Sequence, residues 1–384
     1  MTVTAPKGFR ASGVTAGIKD SGKPDLALVV NDGPSQAAAG RFTGNRVKAA
    51  PVKWSQQVLT YGKLKAVVLN SGGANACTGP EGFQDTHATA EKTAAALGCG
   101  AAEVAVCSTG LIGERLPMDK LLPGVDAAAA ALTETGGEDA AIAIMTTDTV
   151  PKNAVRTGEA GWTIGGIAKG AGMLAPGLAT MLVVLTTDAL IDAELADAAL
   201  GTACRYSFDR LDSDGSMSTN DTVLLLASGA SGVRAEAEEF TAALTELCKD
   251  LAGQLQSDAE GSTKDIAITV SGAATEDDAV EVARRVARDS LVKTAMFGRD
   301  PNWGRILAAV GTAEAPFDAD AVDVAVNGVW ICKAGAAGEP RDAVNLEGRE
   351  VAVDIELHNG AASATIWTND LSHDYVHENS AYST

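Results

Sequence analysis

Several short stretches of this chain are apolar on successive residues rather than on every second one. Residues 25–30, 64–69, 103–107, 181–185 and 222–227 are such runs, and each is bounded by Gly, Asn or Asp or by other polar residues. Their length suits strands. A strand with apolar side chains on both faces must be covered on both faces, because either face left in water would forfeit its burial. The sequence therefore predicts sheets that lie between other layers, with 265–270 as a further strand.

Two Asn-Gly pairs mark reversals. Residues 322–326 meet 329–332 across Asn327-Gly328, a two-residue loop of the kind that closes a hairpin, and 351–357 are expected to meet 362–367 near Asn359-Gly360. Helical spacing is clear elsewhere. Thr275 with Asp278 resembles a capping box, and Val282, Ala283, Val286, Ala287 and Leu291 follow it. Residues 236–255 place Phe240, Ala243, Leu244, Leu247, Leu251 and Leu255 on one face. The Ala-rich stretches 86–97 and 126–132 are also read as helices, with 136–139 and 335–340 as surface loops. Strands and helices interleave without a strict βαβ rhythm. The expectation is an α/β protein with layered sheets and helices outside.

Composition narrows the function. At 384 residues the chain makes two domains or one large one. Hydrophobic residues at 46% with charged residues at 21% give a globular core rather than disorder. Thirty basic against 50 acidic residues leave a net charge of −20, which argues against nucleic acid and against an anionic membrane surface as partners. The six cysteines, widely spread and without a CxxC pair, read as reduced thiols in a reducing, cytoplasmic setting. The opening residues lack an apolar core, so no signal peptide is expected, and no stretch approaches the ~18 apolar residues of a membrane span.

The most unusual segment is 168–185. It carries one lysine, two glycines before a proline and a third after it, and then Thr180 at the mouth of an apolar strand. Lys169 is the only charge between Glu159 and Asp188. A lysine in such company must find an anion or reach solvent. Thr180 has two readings. A threonine opening a buried strand is ordinarily a β-branched core residue. A threonine whose own α-amine is freed by cleavage is instead a nucleophile with a base beside its hydroxyl.

A second segment, 106–113, is a strand ending in Ser108, Thr109 and Gly110, where backbone N–H groups can converge as an oxyanion hole. Residues 144–152, dense in hydroxyls, and 257–264 read as polar loops. His373 and His377 stand four apart but lack a third metal ligand, and their surroundings read as a polar tail. Cys107 lies among Val and Ala and reads as a buried thiol. The chain lacks the GxSxG, GxGxxG and Walker-type patterns.

Lys169-Gly-Ala-Gly-Met173 followed by Ala179-Thr-Met-Leu182 resembles the autoprocessing motif of the ornithine acetyltransferase, or glutamate N-acetyltransferase, family. Further landmarks follow in family order: Ala39-Gly-Arg-Phe-Thr43 with Ala49-Ala-Pro-Val52, the run Asn70 to Gly79, Cys107 to Gly113, Met145 to Asp148, Asp300 to Arg305, and the ending His377 to Thr384. The chain departs from the pattern at Gly73, where the family carries Asn, and at Ala171, where Ser is common.

The resemblance implies a layered α-β-β-α sandwich with two central sheets and an additional smaller α/β lobe. It implies self-cleavage between Ala179 and Thr180, giving an α chain of residues 1–179 and a β chain of 180–384 that assemble as an α2β2 heterotetramer. Thr180 would be the nucleophile, with Thr109 and Gly110 as the oxyanion hole. Thr146, Lys169, Thr180, Glu260, Asn379 and Thr384 would bind substrate. The implied reaction moves acetyl from N2-acetylornithine to glutamate through an acetyl-threonine, with no metal or organic cofactor. Lys169 and Asn379 can serve the substrate carboxylate and Glu260 its ammonium. Three alternatives stay open: acetyl-CoA as a second donor, a self-processing aminopeptidase or amidohydrolase that passes the acyl group to water, and a binding module in which Thr180 is a plain core residue.

Overall fold

The apolar runs form strands buried along their whole length. The computed structural model describes residues 2–175 and 181–381. One unit comprises Met1–Asp209 and Ser216–Asp258, the other Arg210–Gly215 and Ala259–Ser383.

In the first unit, β1 (Phe9–Val14), β2 (Leu26–Asn31), β4 (Ala66–Ser71) and β5 (Val104–Thr109) make a four-stranded sheet in the order β1-β2-β4-β5. A five-stranded sheet has the order β3-β9-β8-β7-β6, from β3 (Ala37–Phe42), β6 (Lys152–Thr157), β7 (Thr163–Lys169), β8 (Leu182–Thr187) and β9 (Thr222–Ala227). Pairing is antiparallel except for β4 with β5 and β8 with β9. Every residue of β2, β4, β5, β8 and β9 is buried, as strands without alternation require.

The two sheets share one core, in which residues such as Leu28, Val67 and Val106 of the first cluster with Ile167, Leu182, Val184, Leu224 and Leu226 of the second. On the first sheet pack α2 (Gly79–Leu97) and α3 (Met118–Ala130), while α1 (Ala50–Val58) meets β5 and α4 (Gly137–Ala143) meets β1 and β2. On the second pack α5 (Ala193–Arg205), against β3, and α6 (Ala237–Ser257), against β6 and β7. The layering is the expected α-β-β-α sandwich. Local chemistry sets the ends: Asp192 caps α5 by accepting the Leu195 N–H at 2.9 Å, and Gly98, in the left-handed region at φ 69°, closes α2.

The second unit is the smaller α/β lobe. Its sheet follows the order β13-β12-β11-β14-β10-β15, from β10 (Asp265–Ala273), β11 (Asp323–Val326), β12 (Val329–Lys333), β13 (Ala336–Ala337), β14 (Glu350–Glu356) and β15 (Ala362–Asn369). Against it lie α7 (Glu276–Arg288), on β10 and β15, with α8 (Ser290–Phe297) and α9 (Trp303–Val310); α10 (His373–Ala381) ends the described chain. The Thr275–Asp278 capping box is formed.

Four local expectations need correction. The 322–332 hairpin forms, but β14 and β15 do not pair with each other: β10 lies between them, parallel to β14 and antiparallel to β15. The Asn359-Gly360 turn instead crosses the end of β10, with the Asn359 N–H on Gly272 O at 2.7 Å. Leu291 is not on the α7 face; α7 stops at Arg288, and Leu291 is exposed on α8. Residues 136–139 lead into and open α4 rather than forming a loop, and 335–340 contain the short edge strand β13. The polar stretch beginning at His373 forms a helix with no buried residue. Among the described residues no helix is long and apolar enough to cross a membrane.

Candidate active site

Lys169 is the last residue of β7, opposite Leu182 of β8, and is 1% exposed. Its ammonium donates to Thr146 Oγ1 at 2.7 Å and Thr109 Oγ1 at 3.3 Å, and Asp148 Oδ2 stands 3.9 Å away. The buried Asp148 carboxylate accepts from Lys152 Nζ at 2.7 Å, the Gly170 N–H at 2.6 Å and the Thr146 N–H at 2.9 Å. Burial pushes this carboxyl up, but the ammonium groups of Lys169 and Lys152 outweigh it and hold the pKa down at about 2. Lys152 Nζ also reaches Asp258 Oδ2 at 2.6 Å, and Asp258 accepts from the N–H and hydroxyl of Thr149. Charges thus alternate from Lys169 through Asp148 and Lys152 to Asp258.

A third lysine adds to this field. Lys19 donates to Met145 O at 2.7 Å and Pro24 O at 3.0 Å. Burial lowers its pKa to about 8, with the charge of Lys169 adding to the fall and that of Asp25 opposing it.

The turn after β5 is shaped by one glycine. Gly110 has φ 133°, and a Cβ there would lie 2.5 Å from Gly73 N. Only glycine fits. Thr109 O accepts the Gly73 N–H at 3.0 Å, and Leu111 O accepts the Ala74 N–H at 2.9 Å, so the 70–78 segment braces both sides of the turn. Among the described residues no acceptor takes the Gly110 N–H. At Gly73, the departure from the family pattern, a Cβ would meet Leu116 at 2.8 Å, so a side chain there would require Leu116 to move.

Four residues singled out from the sequence therefore converge: Lys169, Thr146 and Thr109 are in contact, and Gly110 follows directly. Ala179, Thr180 and Thr384 lie outside the described residues. Glu260 and Asn379 belong to the second unit, where the Asn379 amide donates to Glu260 Oε2 at 3.0 Å and to Tyr375 O at 3.0 Å. Cys107 is fully buried, and burial pushes its thiol up to about 12, which removes it as a nucleophile at neutral pH.

Sequence reasoning missed Asp148, Lys152 and Asp258 as a buried charge chain, because 144–152 read as a solvated, hydroxyl-rich loop. The available clue was that Asp148 and Lys152 stand four apart within a stretch enclosed by apolar segments. It also passed over Asn220 and Asp221, both buried just ahead of β9.

A family model described as the ArgJ family matches residues 10–384. The chain is 66% identical over 384 residues to the arginine biosynthesis bifunctional protein ArgJ of Streptomyces coelicolor, covering 100% of each chain. It is 62% identical, again over 384 residues and 100% of each, to the protein of the same name from Thermobifida fusca. A solved ornithine acetyltransferase from Mycobacterium tuberculosis, complexed with ornithine, is 64% identical across 47% of this chain and 96% of its own, with a TM-score of 0.45. Its landmarks and its full-length identity to these relatives agree: this chain belongs to the ArgJ family.

Proposed function

We propose that this protein is an acetyltransferase of arginine biosynthesis that moves the acetyl group of N2-acetylornithine to glutamate. The observation that carries the reading is the cluster of Lys169, Thr146 and Thr109 beside the Gly110 turn, in a chain 66% identical end to end to an arginine biosynthesis bifunctional protein. Thr180 Oγ attacks the acetyl carbonyl, with its own α-amine as base. The Thr109–Gly110 turn receives the oxyanion, ornithine leaves, and glutamate takes the acetyl group from the threonine ester. Lys169 and Thr146 hold the amino-acid end of the substrate. Glu260, Asn379 and Thr384 complete substrate recognition, a role supported by the family motif and, for the first two, by their direct hydrogen bond.

The same hydroxyl cuts the chain after Ala179, giving pieces 1–179 and 180–384 that remain together and pair as an α2β2 assembly in the cytosol. The word "bifunctional" in the relatives' names favours a second half-reaction, with acetyl-CoA as an additional donor.

The experiment is a denaturing gel with steady-state kinetics. Wild type runs as two bands near half the precursor's mass, Thr180→Ala as one, and double-reciprocal plots are parallel. An uncut but active wild type, or intersecting lines, would sink the mechanism. Product formation from acetyl-CoA and glutamate alone tests the second half-reaction.

A further inference from the structure

The residues just before β9 play no part in the chemistry above, yet they touch both of its halves. Asn220 is buried, and its side-chain amide donates to Ala74 O at 2.6 Å and to Ser108 O at 2.8 Å. Ser108 precedes Thr109 directly. Ala74 is the residue whose N–H is bonded to Leu111, directly after Gly110. One amide group therefore ties down backbone on both sides of the Thr109–Gly110 turn. Its own oxygen is occupied by the Thr219 hydroxyl at 2.6 Å, which fixes the amide's orientation.

Asp221, the next residue, serves a different segment. It is 0% exposed, and its Oδ1 accepts the Met181 N–H at 3.2 Å, while the Thr222 N–H donates to Met181 O at 3.1 Å. Both backbone groups of Met181 are thus occupied by two adjacent residues. The backbone of Asp221 is itself pinned, its carbonyl accepting the Thr43 N–H at 2.9 Å. Among the described residues the other carboxyl oxygen, Oδ2, is buried without a well-formed hydrogen bond, although the side chains of Ser218 and Thr43 interact with the carboxyl. Burial pushes this carboxyl well above the usual range. Burying an acid carries a desolvation cost that a leucine of similar size would not. Its presence calls for a use, and its backbone contact is with the residue covalently joined to Thr180.

We infer that Asn220 and Asp221 are positioning residues for acyl transfer and for self-cleavage, Asn220 setting the oxyanion turn and Asp221 setting Met181 and, through it, Thr180. The inference rests on the proposed nucleophile. It makes the pair a mechanical link between the electrophile-binding turn and the head of β8. Neither residue exchanges a proton with substrate; each acts by holding backbone.

Three variants of the full chain test it. Asp221→Leu removes the acceptor but fills the same space, and is expected to fold while slowing precursor cleavage and acetyl-enzyme formation about ten- to hundred-fold, the usual cost of small misplacement. Asp221→Asn keeps an acceptor for Met181 and is expected to restore most of both rates. Asn220→Asp loses both amide donors at constant size, and is expected to lower kcat by a similar factor with KM for N-acetylornithine little changed.

Circular dichroism and thermal melting establish folding; gel time courses and mass spectrometry of the acetylated chain give the rates. Folded Asp221→Leu at wild-type rate, or Asp221→Asn as slow as Asp221→Leu, overturns the role of Asp221. Asn220→Asp decides its own half whether or not Asp221→Leu folds: an unchanged kcat, or a loss confined to KM, overturns it. If wild type forms neither cut chain nor acetyl-enzyme, the nucleophile assignment itself has failed, which these variants cannot mimic.

Discussion

Lys169 and Asp148 face each other across 3.9 Å, with side chains 2% and 0% exposed. The gap is too long for a closed ion pair with a hydrogen bond. The carboxylate instead spends its close contacts on Lys152 and two backbone N–H groups, and the Lys169 ammonium turns to hydroxyls of Thr146 and Thr109. Lys169 thus has an anion nearby without a hydrogen bond to it, an arrangement that suits a cation proposed to meet a substrate carboxylate. Lys169→Ala is expected to raise KM for both N-acetylornithine and glutamate by roughly ten- to hundred-fold, the equivalent of about 1.5–3 kcal/mol for one charge-assisted contact. Steady-state kinetics with each substrate checks this. A fall in kcat alone would move Lys169 from binding to the transition state.

Asp148 makes a statement about acid stability. Its pKa in the folded chain is about 2, below the ~3.9 of an unfolded aspartate. A depressed acid contributes stability that is fully present above the unfolded value and is lost as pH falls through the folded one. The window is therefore between about pH 4 and about pH 2, and the size is about 2–3 kcal/mol. Urea unfolding across that range should show Asp148→Asn less stable than wild type at pH 7, with the difference shrinking by roughly this amount at the acid end. A constant difference would mean that the charge of Asp148 is not what stabilises.

Glu260 is expected to recognise the donor's ammonium. Glu260→Gln should raise KM for N-acetylornithine about tenfold or more, and much less for an acetylated donor without that amine. Equal effects on both donors would assign Glu260 to holding Asn379 and α10 instead.

The thiols give an independent check on the fold. Cys77 is exposed and Cys99 partly so, while Cys107, Cys204, Cys248 and Cys332 are buried. Burial raises the pKa of Cys107 to about 12 and pushes Cys204 and Cys248 up as well. A thiol reagent at pH 8 should label Cys77 first, Cys99 slowly, and the other four only after denaturation, as peptide mapping would reveal. Rapid labelling of Cys107 in the native protein would contradict the burial of β5.

What the sequence made legible follows from what is local. Uninterrupted apolar runs identify doubly covered strands wherever they occur, and a two-residue Asn-Gly loop leaves 322–332 little choice but a hairpin. Lys169 stood out because no other charge shared its surroundings. The failures are non-local. Nothing in residues 351–367 announces that β10, some eighty residues earlier, will enter between them. Asp148 and Lys152 look like solvated side chains until the layers close over them, and Asn220-Asp221 looks like an ordinary polar turn ahead of a strand. Buried polar residues are recognised by what surrounds them, and those neighbours come from distant parts of the chain.

The strand order of the five-stranded sheet carries a consequence for any attempt to take the enzyme apart. Along β3-β9-β8-β7-β6, strands from before residue 179 enclose the two that come after it. If the chain is cut there, as proposed, β8 and β9 would belong to one polypeptide and be hydrogen-bonded on either side to the other. Folding of the precursor is a first-order event; reassembly of the cut protein would be second-order, and each piece alone would expose strand edges built for a partner. The proposed scission would therefore act as a ratchet. The precursor should refold from denaturant at any dilution, whereas the mature protein should recover only as concentration rises, and its working lifetime would be governed by how slowly the shared sheet opens.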